Sequence, residues 1–463
     1  MKQLRQVVSL ALVGAKPIVL AALIVLAAVT AVGAQNTARA ILSDQPSAAP
    51  GTKITMRNWQ RYRQFMSRGM IALFEGSHFW RMPEDVAIEI GPTVAIPLPE
   101  KYQQDTKANA DRVRLVRQPG GGYVPSGYVA GLPFPEPLKG DPALAGERIF
   151  WDLYYRYQPR VQGAENFSYS IDRAGNMTQT AESTCVQSQL TYLSDLGMPA
   201  TAPEADPSVY TAKFNEQISP EQAKYSTLLD LLPADPTKLD ELYEYVPTLR
   251  RSLRLSQAAR CAPVFGSDYL VDDENNGPPG LPQLFMVEYL GEQKVLALVH
   301  AAPAAFDSAG TAVGLDPRYY YPGAAGVVPF PRPTAGRWEL RDSYVIALAR
   351  LPQFSSGYCY GKRVLYVDKE NYFAGAQLDL YDSSGQLFKS QLIFSYPERI
   401  PGTEHDQAQL VAGSDTSFLI NFKDRHLSLE PNLRACINSD CTRNGYLDIR
   451  RYASPDGLMK IMQ

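Results

Sequence analysis

Between Lys362 and Phe394 the chain breaks into three short runs in which apolar and polar residues alternate. Val364-Leu365-Tyr366-Val367 reads as a strand and Asp368-Lys369-Glu370-Asn371 as a turn. Tyr372 to Tyr381 reads as a second strand, Asp382-Ser383-Ser384-Gly385 as a turn, and Leu387 to Phe394 as a third strand. Strands this close in sequence, joined by tight polar returns, predict an antiparallel meander. A meander commits the chain to an open sheet or a barrel with one dry face. Phe167-Ser168-Tyr169-Ser170-Ile171, followed by the turn Asp172 to Asn176, adds a further strand, and Arg337 to Ala347 alternates for much of its length. The composition agrees: 27 Tyr suit pleated, half-buried surfaces, and 36 Pro with 33 Gly punctuate short elements.

The start of the chain reads as an export signal. Lys2 and Arg5 precede the uncharged run Ile18 to Ala34, which closes on Val32-Gly33-Ala34. That is a basic n-region, an apolar h-region and a small-x-small cleavage site. The alternative is an uncleaved anchor, for which the run is short against the roughly 20 apolar residues a spanning helix needs. Residues 1–34 are therefore expected to be a signal peptide and 35–56, small and polar with Pro46, Pro50 and Gly51, a flexible linker. Residues 57–463 are expected to form a single domain, helical and extended to 160 and β-rich from 161. Export places the protein in a bacterial periplasm, with the outer membrane as a further address.

That compartment permits disulfides. Cys436 and Cys441 enclose only four residues and are expected to pair; Cys185 with Cys261 is the weaker candidate, leaving one thiol over. The net charge of −3, without long blocks of either sign, gives no electrostatic footprint for nucleic acid.

Near the mature start, Trp59, Tyr62, Met66, Met70 and Leu73 recur at three- and four-residue spacing behind Asn58, predicting one capped amphipathic helix. Its polar side carries Arg57, Arg61, Arg63 and Arg68. Packing on a sheet is the favoured reading, and lying on an anionic membrane the other. Gly131 to Pro137 (GLPFPEP) must be extended. Asp141-Pro142 then caps a helix running towards Trp151, Tyr154, Tyr155 and Tyr157.

The templates of catalysis are not met. Gly361-Lys362 is followed by Arg363, Gly120-Gly121-Gly122 lacks the dinucleotide spacing, and no Gly-x-Ser-x-Gly elbow occurs. His78, His300, His405 and His426 have no sequence partners. No cofactor or metal is expected: Asp268, Asp272, Asp273, Glu274 and Asn275 lack the order of a calcium loop and read as a solvated acidic turn. The stretch Asp273 to Pro282 reads as a surface loop. In Arg250-Arg251-Ser252-Leu253-Arg254, strand alternation puts Arg250 and Arg254 on one face, where they would hold an anion or, the favoured reading, pair with that acidic turn.

Several segments together resemble domain-of-unknown-function family 1329, whose members are described as similar to outer-membrane lipoprotein-sorting proteins. They are Gly131 to Pro137, Asp141-Pro142 with Ala145-Gly146, Trp151 with Tyr155-Arg156-Tyr157, and Tyr245-Val246-Pro247 with Arg250-Arg251. Also matching are Gly266-Ser267-Asp268 with Asp272-Asp273, Arg337 to Arg341, and the Lys362 to Phe388 meander. Two positions depart locally: Asp152 stands where Asn is expected, and Cys261 precedes the Gly-Ser-Asp segment. The resemblance implies an α+β, β-rich fold in which helices and loops cover the concave face of a large open antiparallel half-barrel. It implies a non-enzymatic periplasmic carrier or chaperone for a hydrophobic ligand, a lipid or an acylated protein. The partners would be a resistance-nodulation-division transporter and an outer-membrane protein. Candidate ligand or headgroup contacts are Arg250, Arg251, Arg254, Trp338 and Tyr366. The alternative is an envelope adaptor without bound lipid, and after that an envelope enzyme.

Overall fold

The computed structural model describes residues 48–461 apart from 196, 274–281, 304, 306–314 and 412–414. The expected signal peptide, most of the linker and most of the loop at 273–282 lie outside the described residues. From Lys53 the chain is already paired: β1 (Lys53–Thr55) runs antiparallel to β2 (Ala87–Glu89). Two other small pairs are β3 (Arg114–Arg117) with β4 (Tyr123–Ser126), and β16 (Glu398–Arg399) with β17 (Ala408–Gln409).

The remaining strands form one antiparallel sheet of thirteen. One wing is the meander β5 (Val161–Ile171), β6 (Met177–Gln189), β7 (Val209–Ser219), β8 (Thr227–Pro233), β9 (Glu241–Val246) and β10 (Arg251–Arg254). The other is β11 (Phe285–Ala297), β12 (Glu339–Arg350), β13 (Lys362–Asp368), β14 (Gln377–Tyr381) and β15 (Leu387–Ser395). β18 (Asp415–Asn421) and β19 (His426–Ile437) join the wings, β19 pairing with β5 and β18 with β15. The two edges are therefore β10 and β11, which are consecutive in sequence. The segment between them has to cross one whole face, and its described residues 255–273 run across the concave side as a strap.

That crossing is short because the sheet is curled. β8 and β13 are eight strand steps apart, about 38 Å along the sheet at about 4.8 Å per step. Yet Asp230 on β8 and Arg363 on β13 are linked through two strap side chains. Arg260 Nη2 lies 3.1 Å from Asp230, Arg260 Nη1 3.3 Å from Asp272, and Asp272 3.3 Å from Arg363 Nη2. The sheet is thus an open half-barrel, and this ion network spans its concave side.

Pleating then decides what fills each face. On the concave side of the β11–β15 wing, Ile346, Leu348, Leu365, Leu378 and Leu380 pack against Ile149, Phe150 and Leu153 of α3, which leaves no trough there. α3 follows α1 (Arg68–Glu75) and α2 (Glu100–Asn109) and spans Ala145–Tyr154. Asp141 accepts the Ala143 N–H just ahead of it, as the Asp-Pro pair predicts. On the convex side of the other wing, Val186, Phe214, Leu229 and Tyr245 are covered by Tyr452 and Leu458 of the short α4 (Ile449–Tyr452) and α5 (Pro455–Leu458).

The single amphipathic helix expected after Asn58 is instead two. A 3-10 helix spans Trp59–Phe65, Met66 turns extended, and Ser67 caps α1 by accepting from Met70 N. Asn58 caps no helix; its Oδ1 accepts Thr55 N and closes a turn. α1 sits on the convex face by its N-terminus: Arg68 N and Gly69 N donate to the Asp379 carboxylate at 2.8 and 2.9 Å. A Cβ on Gly69 would lie 2.0 Å from Ser390 Oγ, so the approach requires glycine.

The meander is present with one shift. The second strand begins at Gln377, not Tyr372, because Asp368 Oδ1 accepts Glu370 N and Asn371 N, and Tyr372 takes φ +58° in the extended return. Cys436 and Cys441 are bonded; Cys261 pairs with Cys359, not with Cys185, tying the strap to the loop before β13. Among the described residues no helix is long and apolar enough to cross a membrane.

Candidate ligand-binding site

The curl leaves a cavity of about 1050 Å³, open mouth included, between the concave face of β5–β9 and the strap. Its floor follows two cross-strand rungs fixed by the register. One carries Gln162, Gln187, Lys213, Asp230 and Leu242; the other Ala164, Cys185, Asn215 and Leu228. The roof is Tyr269, Val271 and Asp273 of the strap, and the rear wall is Ser417, Glu430 and Asn432 of β18 and β19. The lining is mixed, with Leu228, Leu242, Val271 and the Tyr269 ring as apolar surface among amides and carboxylates. The heavier apolar residues of these strands point to the other face, where the C-terminal helices cover them.

The roof is held rigidly. Tyr269 Oη lies 2.6 Å from Ser417 Oγ, and Asp268 accepts from Asn421 Nδ2 at 2.8 Å and from Ser428 Oγ at 3.2 Å. Behind it, Asp272 and Asp273 are each 1% exposed, so these two carboxylates are buried, not solvated as the composition of the acidic turn suggested; Glu274 and Asn275 lie outside the described residues. Their partners are Arg260, Arg363 and, at 4.0 Å, Arg350; Tyr358 and Tyr360 donate hydrogen bonds to them. Burial alone would raise Asp272, but Arg363 and then Arg260 outweigh it and hold the carboxyl below its ordinary range. Breaking one member of such a buried set strands the others, and the Cys261–Cys359 bridge fixes the backbone on which it is built.

One end of the concave side is closed by aromatic rings. Tyr128 stacks on Tyr155 at 3.9 Å between centroids, and Trp151, Tyr154, Tyr192 and Tyr210 surround the pair. Burial raises the phenol pKa of Tyr128, Tyr154 and Tyr155 well above the usual value. Asp152, the departure from the family pattern, is fully buried and accepts Phe134 N at 2.7 Å; burial pushes its pKa well up.

The residues singled out from sequence are dispersed. Arg250 lies in the turn before β10 with φ +51°, so it does not share a strand face with Arg254. Arg254 pairs at 2.9 Å with Glu241 on the neighbouring strand, not with the acidic turn. Trp338 is 1% exposed, stacked on Phe330 at 5.4 Å. Tyr366 is buried on the convex side with Val345, Ala347 and Val364. None of the five lines the cavity. The rungs were missed because, apart from Leu228 and Leu242, their inward residues are small or polar; the signal was there in the period-2 pattern of β5–β8, most of whose apolar residues belong to the opposite face. Among the described residues no group of three or more His, Cys, Asp and Glu is placed to hold a metal.

Three solved structures are similar over two thirds of this chain and nearly all of their own. A DUF1329 family protein from Desulfovibrio piger matches at 13% identity and TM-score 0.43, covering 68% of this chain and 98% of its own. A putative outer membrane lipoprotein-sorting protein domain from Vibrio parahaemolyticus matches at 12% and 0.43, covering 66% and 97%. A LolA superfamily protein from Nitrosomonas europaea matches at 10% and 0.36, covering 67% and 97%. No curated protein matches the sequence significantly. The sequence profile described as "Protein of unknown function (DUF1329)" matches residues 53–430, which take in the whole strap and all of the sheet except the end of β19. The chain belongs to the DUF1329 family.

Proposed function

We propose that the protein is a non-enzymatic carrier of an amphiphile, a lipid or an acylated chain, working in the periplasm. The observation that supports this is the roofed cavity on the concave face of an open half-barrel. Its mixed lining suits an amphiphile better than a pure hydrocarbon. The apolar segment would lie against Leu228, Leu242, Val271 and Tyr269, and the polar part against the Gln162–Lys213–Asp230 rung. Burying about ten methylenes at roughly 0.8 kcal/mol each gives about 8 kcal/mol, roughly micromolar binding before ordering costs. A bilayer offers the same chain a similar gain, so directional transfer needs a partner with differential affinity. A resistance-nodulation-division transporter and an outer-membrane protein are the partners suggested by the family resemblance.

In this reading residues 57–463 act as one carrier unit after a leader and linker. Arg250, Arg251 and Arg254, at the β10 edge, serve a polar head or a partner; buried Trp338 and Tyr366 act by holding the shape of the sheet. The test is displacement of a fluorescent apolar probe, N-phenyl-1-naphthylamine, from delipidated protein by a long-chain fatty acid. Wild type should bind at micromolar concentration, and Leu242→Trp, which fills the cavity, should weaken binding about tenfold, the scale of one altered apolar contact. Absence of probe binding to wild type, or equal binding by Leu242→Trp, contradicts the reading.

A further inference from the structure

The four arginines near the mature start belong to neither the cavity nor the core. A 3-10 helix has three residues per turn, so side chains three apart eclipse. In Trp59–Phe65 the column Trp59, Tyr62, Phe65 faces inward: Trp59 is buried and stacks on Phe74 of α1 at 5.5 Å, and the other two are half-buried. The outward columns present Arg61 and Arg63, and Arg57 lies two residues ahead of the helix; all three are exposed. Arg68, at the start of α1, is also exposed and pairs with Glu75 at 3.1 Å. Glu75 is held below its ordinary range, first by its hydrogen bond with Arg68, with Arg63 adding to its field. Among the described residues no carboxylate lies within ion-pair distance of Arg57, Arg61 or Arg63.

The cluster is of one sign and is held together against its own repulsion; Glu75 offsets Arg68 and part of Arg63, and Arg57 and Arg61 gain no ion pair among the described residues. The cluster's chemical complement is a surface dense in phosphate. One further fact favours a bilayer over a soluble anion: Arg57, Arg61 and Arg63 are all exposed along one short surface segment, so they meet a flat array of phosphates more readily than a single small ion. We propose that the arginine face of residues 57–68 docks the protein reversibly on a bilayer surface of anionic phospholipid headgroups. This contact is independent of the cavity and goes beyond the carrier reading.

Each Lys or Arg near an anionic surface strengthens binding roughly fivefold, so three contribute roughly a hundredfold at low salt. The contact would be lost in about 0.5 M NaCl, where the Debye length falls to about 4 Å. The test is sedimentation of the full chain with vesicles of phosphatidylcholine, with or without about one-third phosphatidylglycerol. The readout is the ratio of the two partition coefficients, compared between variants of the same full chain, so that the shared contribution of the apolar run and of Lys2, Arg5 and Lys16 cancels. Wild type should give a ratio of about a hundred or more that collapses in high salt. The triple variant Arg57→Gln/Arg61→Gln/Arg63→Gln should lower that ratio about a hundredfold. A charge-matched control, Arg112→Gln/Arg114→Gln/Arg117→Gln, alters exposed arginines elsewhere and should leave the wild-type ratio. A wild-type ratio of one, or equal losses in the two triple variants, overturns the proposal.

Discussion

Glu147→Gln should remove one large pH-dependent contribution to the protein's stability. Glu147 lies in the first turn of α3, 5% exposed, with Oε1 3.2 Å from Val287 N on the edge strand β11. The helix start presses on that strand so closely that a Cβ on Gly146 would come within 2.6 Å of Val287 O. The carboxyl thus supplies an acceptor to an edge N–H that has no strand partner, at the cost of desolvation. Burial pushes its pKa from 4.5 to about 8, only partly opposed by the Val287 N–H. With the folded pKa above the unfolded one, the native state binds the extra proton between them, and stability falls as pH rises. The contribution is intact below pH 4.5 and is lost as pH passes through 8. A shift of about 3.5 units at about 1.36 kcal/mol each makes the whole swing about 5 kcal/mol, of which about 3 kcal/mol is already lost at pH 7. Gln keeps the acceptor without the titration. Urea unfolding of both proteins at pH 4, 7 and 9 reads the difference directly, since all other groups cancel. The variant should gain about 5 kcal/mol relative to wild type from pH 4 to 9. A difference constant within about 1 kcal/mol across that range would refute the desolvation argument.

Asp152→Asn follows the same sign, because burial raises the Asp152 pKa and Phe134 N needs only an acceptor; its thermal midpoint should rise relative to wild type between pH 5 and 9, and a uniform loss at every pH would count against it. Cys359→Ser opens a bridge of sequence separation 98 and Cys441→Ser one of separation 5, so the first should cost about 4.7 kcal/mol and the second about 2 in chemical denaturation. Equal costs would show that chain entropy is not what the strap bridge contributes. Gly69→Ala drives a methyl into Ser390 and Asp379 and should cost about 1–3 kcal/mol as overpacking, whereas a neutral result would mean that α1 is free to lift from the sheet.

The parts of the fold that were legible in sequence are those where local pattern and burial agree. Alternation in Arg363 to Val367 marks a strand because Leu365 and Val367 enter the core under α3, and in Leu387 to Phe394 the pattern ends on Phe394, which packs on Trp338 and Phe418 away from α3. The same pattern misplaced the start of β14, because a hydrogen-bonded return around Asp368 outcompetes extension at Tyr372. Helical spacing through Met66 suggested one helix; Ser67 interrupts it by offering its own hydroxyl as a cap. The cavity was hidden for a different reason. A carrier invites a search for apolar inward positions, yet Gln162, Lys213, Asn215 and Asp230 form the floor, and Phe214 and Leu229 face the C-terminal helices. The strap's role depends on which strands are edges, and strand order is a long-range fact. The buried partners of Asp272 and the Cys261–Cys359 bridge depend on that same crossing.

Native mass spectrometry of protein purified without detergent, coupled to solvent extraction, puts the cavity's occupancy to the most direct test. The account predicts a mass increment released by organic solvent and identified as an amphiphile, present in wild type and reduced in Leu242→Trp. Bare protein from cells, still bare after incubation with long-chain fatty acid or phospholipid, would contradict it.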